Sequence, residues 1–238
     1  MAGTARRGPG AAGGERAWRL VTLAEVKAHP LISTFVEKAD SHLAAMGYTE
    51  HGYRHVELVS NISRNVLARL GAPERTAELA AIAGYTHDIG NAVGRQGHES
   101  TGALLVTMVL RDLGMDPAEI AVIAGAVGNH EESTGTPVNE VAAALILADK
   151  SDVHRTRVRN DDVATFDIHD RVNYAATRSF LNVDPERRAV TLELTIETEI
   201  CSVMEYFEIF LTRMLMCRRA ADFLGCKFHL NINGASLL

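Results

Sequence analysis

The amino-acid sequence predicts a mainly α fold, a helical bundle followed by a small C-terminal β-β-α-β appendage, and three observations carry that prediction. Apolar residues recur at three- and four-residue spacing from Leu31 to Asp149, the period of helices with one buried face. The period switches to two at Ala189–Glu197, where Val190, Leu192, Leu194 and Ile196 alternate with Thr191, Glu193, Thr195 and Glu197, the mark of a half-buried strand. A chain of 238 residues with 47% apolar content can bury one large core with room for a minor addition.

Each element follows from local signals. Thr22-Leu23-Ala24-Glu25 is a capping box and opens a short helix that ends before Pro30. Leu31, Phe35, Ala39, Leu43 and Met46 make the stripe of a second helix, stopped at Gly47. His55, Val59, Ile62, Val66 and Leu70 mark a third, stopped at Gly71. Pro73 starts an Ala-rich helix toward Thr86, and another begins near His98 and ends at Gly114. Asp116 and Pro117, with Glu119 behind them, start a helix expected to reach about His130, and a further helix runs from about Asn139 through Asp149. Ser179–Asp184 is expected to pair with Ala189–Glu197 across a four-residue turn. A helix bearing Val203, Phe207, Phe210 and Met214 then ends at Gly225, and Lys227–Ile232 alternates again. These signals divide the chain into a disordered tail over 1–17, a helical domain over 18–165 and an α+β appendage over 166–238.

Composition excludes several classes. The formal charge of −6 argues against non-specific nucleic-acid binding. No segment approaches the ~20 apolar residues of a membrane span, and Arg6 and Arg7 are not followed by a signal-peptide core. Cys201, Cys217 and Cys226 lack CxxC spacing and are odd in number, which fits reduced thiols and a cytoplasmic location. A homodimer is compatible with all of this.

Chemistry concentrates in His55, His87, Asp88, His98, His130 and Asp149, each on or at the end of a successive helix. A lone helical histidine is more often a satisfied core or surface residue than a ligand. Four histidines and two aspartates in one order along one bundle are a different matter, because metal sites in bundles are assembled from inward side chains of facing helices. Imidazole and carboxylate donors suit one or two divalent ions of the Fe, Mn, Zn or Co class. The other histidines, His51 among them, show no such grouping.

The order His55, His87-Asp88, Asp149 resembles the H…HD…D signature of the HD superfamily of metal-dependent phosphohydrolases, and Thr86-His87-Asp88-Ile89-Gly90-Asn91 resembles its HDIG form. His98 within His98-Glu99-Ser100-Thr101-Gly102 is similar to the second-metal histidine of two-metal members. Asn91 stands where a Lys is usual, and Asn129 where cyclic-dinucleotide phosphodiesterases have a further histidine, which argues against that activity.

What the resemblance implies is a phosphohydrolase acting on a small phosphorylated substrate, such as a nucleotide, with a metal-activated water. Asp88 would bridge two ions, His55, His87 and Asp149 serving one and His98 and His130 the other. Asp88 and Glu131 are the expected catalytic groups, and Asn91, Arg95, Lys150 and Arg155 the expected substrate contacts. Two rival classes share these residues: a two-iron oxygenase and a non-catalytic nucleotide- or metal-binding regulatory module.

Overall fold

The computed structural model describes residues 18–237; the expected tail over 1–17 lies outside them. The capping box at Thr22 forms as expected and opens α1 (Leu23–Ala28). His29 closes that helix and starts α2 (Pro30–Ala45), its Nδ1 accepting from the Leu31 amide. The buried stripe of α2 is Ile32, Val36, Ala39 and Leu43, which corrects the expected one: Leu31 and Met46 are 47% and 50% exposed. Both stripes contain Ala39 and Leu43, and packing of α2 on the turn that follows α4 selects the one with Ile32 and Val36.

α3 (Tyr53–Arg69) and α4 (Glu74–Thr86) form the most closely packed helix pair. Gly84 makes this closeness feasible, since a Cβ there would stand 2.8–2.9 Å from the Ser60 backbone. α5 (His98–Asp112) and α6 (Pro117–Val127) follow. α6 stops short of the expected His130 because side chains take its last carbonyls: Asn129 Nδ2 donates to Gly125 O at 2.9 Å and His130 Nδ1 to Val127 O at 2.6 Å.

α7 (Glu140–Lys150) is buried at every position from Val141 onward, as its apolar Ala, Leu and Ile run requires. It packs against α3, α4, α6 and α9 and is the axis of the molecule.

After α7 the chain forms α8 (Ile168–Ala175), which the sequence reading did not anticipate, and runs directly into β1 (Ala176–Asp184). β1 pairs antiparallel with β2 (Ala189–Ile196). Helix α9 (Val203–Phe223) then crosses over to β3 (Lys227–Ile232), which lies parallel to β2, and β3 turns back into the short β4 (Ala235–Ser236). Val190, Leu192, Leu194 and Ile196 face the core together with Phe228, Leu230 and Ile232, the alternation read from the sequence. Tyr206, Phe210, Met214 and Cys217 of α9 belong to the same continuous core as α7, so sheet and bundle share one interior. Among the described residues, no helix is long and apolar enough to cross a membrane.

Candidate metal centre

Five helix ends and one turn deliver the histidines and aspartates to one point. His55 lies in the first turn of α3, His87 follows α4, His98 begins α5, and His130 follows α6. Asp149 sits in the last turn of α7. Asp88 occupies the link between α4 and a 3-10 turn (Ile89–Ala92), with φ −95° and ψ 0°, a sparsely used backbone region. That turn touches the start of α5 so closely that a Cβ on Gly90 would lie 1.9 Å from the His98 carbonyl oxygen. Glycine is therefore required for His98 to reach Asp88.

The Nδ1 atoms fix the tautomers. His87 Nδ1 lies 2.8 Å from Gly84 O, His98 Nδ1 3.1 Å from Arg95 O, and His130 Nδ1 2.6 Å from Val127 O, each three residues back along the chain. His55 Nδ1 lies 2.7 Å from Asp152 Oδ2. Carbonyls and carboxylates only accept, so each Nδ1 carries its proton and each Nε2 points inward.

These Nε2 atoms meet in pairs, His55 with His87 at 3.2 Å and His98 with His130 at 3.1 Å. At that distance a pair is either an N–H···N hydrogen bond, where one ring is protonated at Nε2, or two lone pairs converging on one cation. Nitrogens sharing one ion at about 2.0–2.1 Å stand about 2.9–3.4 Å apart for octahedral to tetrahedral angles, so each pair has the spacing of two donors to one cation.

Asp88 divides its carboxylate between the pairs. Its Oδ2 is 3.5 Å from His55 Nε2 and 3.2 Å from His87 Nε2. Its Oδ1 is 3.5 Å from His98 Nε2 and 3.7 Å from His130 Nε2. Asp149 Oδ1 joins the first pair at 3.4 and 3.6 Å, and Glu131 Oε2 approaches the second, 3.6 Å from His98 Nε2. His55, His87 and Asp149, and likewise His98, His130 and Glu131, each offer donor atoms within 4.8 Å of one another. This buried group of imidazoles and carboxylates can hold a divalent metal; its donor chemistry and spacing fit one.

The electrostatics are those of carboxylates and imidazoles buried against one another. Burial lowers the His55 pKa, and so does the Arg157 charge, yet bonds to Asp149, Asp152 and Asp88 carry it up to about 9. Burial likewise opposes the charge on His87, and Asp88 and Asp149 raise it to about 10. Burial opposes the ionised forms of Asp88 and Asp149; His87 above all holds Asp88 far below the usual carboxylate range, and Lys150 does the same for Asp149. Glu131 is also kept ionised: Lys150, Arg95, His98 and His130 outweigh the effect of its burial.

The expected substrate contacts divide. Arg95 lines the cleft above the site, 3.4 Å from Glu131 and stacked 5.5 Å from the Tyr48 ring. Lys150 is buried, its Nζ 2.7 Å from Asp149 Oδ2, so it braces a donor and faces the cleft at the same time. Asn91 is wholly buried and its Nδ2 donates to Asp88 O and Oδ1, both at 3.0 Å, which orients Asp88. Arg155 is not brought to the site. It pairs with Glu197 at 2.8 Å and lies over the Tyr174 ring, because the strand end that carries Glu197 draws it outward.

The structure adds residues that the sequence reading left out. Asp152 holds His55 and also binds Arg54 through two contacts of 2.8 and 3.2 Å. His51, one helical turn before His55, lines the cleft with its ring edge-on to that of His55. Arg157 and, from α9, Arg213 complete the cationic rim, and Arg213 pairs with Glu132. The spacing of His51 from His55 and of Asp152 from Asp149 was a readable signal; nothing local marked Arg213.

The donors Asp88, His98, His130 and Asp149 line a space of only about 30 Å³, and a cleft of about 430 Å³ adjoins it, sharing His51, Arg95, Glu131, Arg157 and Arg213 with it. A family model described as the HD domain matches residues 52–175, more than half of the chain, from the start of α3 to the end of α8. No curated protein matches the chain.

Proposed function

Since the chain belongs to the HD-domain family, we propose that it is a metal-dependent phosphohydrolase that cleaves a phosphoester of a small molecule, a nucleotide being the class that best suits the cleft. The division of the Asp88 carboxylate between two histidine pairs carries this reading, for it lays out positions for two ions sharing one bridge. Bound divalent ions would supply Lewis acidity toward a phosphoryl oxygen and lower the pKa of a water.

The chain's own groups account for the rest. Arg95, Arg157 and Arg213 stand around a cleft of about 430 Å³, within the usual range for small-molecule sites, and favour an anionic substrate. Glu131, ionised and within reach of Arg95, accepts the proton of the attacking water as the new P–O bond forms and the ester P–O bond breaks. Asn91 and Asp152 hold Asp88 and His55 in place. The three cysteines are buried free thiols, in keeping with a reducing, cytoplasmic setting.

The test is a phosphate-release screen over nucleotides and phosphomonoesters with protein loaded with manganese, iron, cobalt or zinc. Release that depends on metal and disappears on chelation is the expected result. Metal-dependent oxygen consumption without phosphate release would move the chain to the oxygenase class, and inactivity of every loaded form would overturn the hydrolase reading.

A further inference from the structure

Among the described residues there is a cavity larger than the metal cleft. It lies behind the metal centre, between α3 and β1, with a volume of about 630 Å³. Its apolar surface comes from Leu58 and Ile62 of α3 and from Leu181 and Val183 of β1. Phe180, half exposed, forms its lip. Three of the other polar groups along it are already engaged within the chain. Arg54 is bound to Asp152 and Glu50, Ser179 Oγ donates to Ser151 O, and His154 is occupied by Thr177 O and Thr156.

Arg69 is different. Its Nε donates to Val183 O at 3.0 Å, which fixes the guanidinium plane at the cavity's edge. Among the described residues its terminal nitrogens meet no acceptor, and the Asn65 side chain one turn earlier makes no hydrogen bond. A fixed guanidinium with both terminal N–H₂ groups directed away from its anchor is a fork for a carboxylate, sulfonate or phosphate.

We propose that this cavity is a second ligand site, for a small molecule with an apolar body and a single anionic head, the body lying between α3 and β1 and the head on Arg69. Apolar residues of α3 and β1 beside an oriented guanidinium whose terminal nitrogens meet no acceptor among the described residues select that combination over a neutral apolar or a multiply charged ligand. Binding here is independent of the hydrolase reading, since none of the groups used belongs to the metal cleft.

The test uses the full metal-loaded chain and a fluorescent arene sulfonate, 8-anilinonaphthalene-1-sulfonate, displaced by decanoate or, as the uncharged control, decanol. Saturable binding at one probe per chain is expected, with decanol competing at least about tenfold more weakly than decanoate, the discrimination a charge-assisted hydrogen-bond pair provides. Arg69→Gln should weaken decanoate by about tenfold as well, and Ile62→Trp, which fills the cavity from the α3 wall, should abolish probe binding. Unchanged metal content and melting temperature show that both variants are folded. Decanol equal to decanoate, or undiminished binding by folded Arg69→Gln or Ile62→Trp, would overturn the proposal.

Discussion

Replacing Asp152 with asparagine tests whether the support of the metal centre is as important as its donors. Asp152 is 2% exposed and serves three partners: His55 Nδ1 at 2.7 Å, Arg54 through two bonds, and Arg157 Nε at 3.6 Å. Burial opposes its charge, but Arg157 and His55 hold its pKa well below the ordinary carboxylate range. Asparagine keeps the shape but removes that charge, and it leaves Arg157, itself 3% exposed, with carbonyl acceptors alone. Removing one partner of a buried ion pair costs about 3–5 kcal/mol. The lower end applies here because Arg54 retains Glu50 at 2.8 Å. A loss of about 3 kcal/mol lowers the melting temperature by roughly 6–12 °C for a chain of this size. Independently, His55 is left with at best a neutral amide oxygen in place of a carboxylate, its basicity as a ligand drops, and metal affinity falls by about 10–100-fold. Thermal melting of metal-free protein and competitive metal titration at pH 7 measure the two effects. A variant that melts within a degree of wild type and binds metal equally well would refute the assignment of Asp152 as the group that orients His55.

Three further outcomes are expected. Asp88→Ala should reduce metal-dependent phosphate release by more than about a thousandfold, several kcal/mol of lost charge stabilisation, while circular dichroism stays helical because no apolar stripe depends on Asp88; wild-type turnover would remove the bridge from the mechanism. Glu131→Gln should leave the number of bound ions unchanged and lower turnover, as loss of a proton acceptor does; fewer bound ions, counted by elemental analysis, would instead make Glu131 a donor to the second ion. The third concerns pH: His55 and His87 are raised from 6.5 to about 9 and about 10 in the folded, metal-free protein, so their stabilising contribution is complete below about pH 6.5 and is lost as pH rises through 9 and 10. Metal must displace those protons, so its affinity should climb by about tenfold per pH unit for each proton released, and an affinity independent of pH between 7 and 9 would contradict the protonated state.

The helices were legible where caps and apolar stripes coincide, as at Thr22, Asp116-Pro117 and the Val203–Gly225 stretch. α8 was not, because eight residues span barely two turns and Ala175 passes into β1 without a stop signal. The six residues now gathered at the centre could be read as a group because each marks a helix end in a fixed order. Arg213 could not be read so, since its role arises from a contact made across the folded chain, where it reaches Glu132 from another helix; Asp152 was marked by its spacing from Asp149, but its partner His55 lies 97 positions earlier. Arg155 misled for the converse reason. A basic residue close in sequence to Asp149 was turned away by an acidic residue on a strand end.

The burial of α7 on all sides has a consequence for how the protein is made. Asp149 rides on a helix whose outer face is covered by α9, and α9 in turn is tied down by β3 pairing beside β2. During vectorial synthesis the residues of α3 to α7 emerge from the ribosome long before those of α9 and β3. Until these arrive, α7 exposes an apolar side that the bundle alone does not cover. Assembly of the metal centre is thereby timed to the emergence of the segment through Ile232, and a nascent chain stalled before α9 carries every donor but lacks the cover that closes the interior around Asp149.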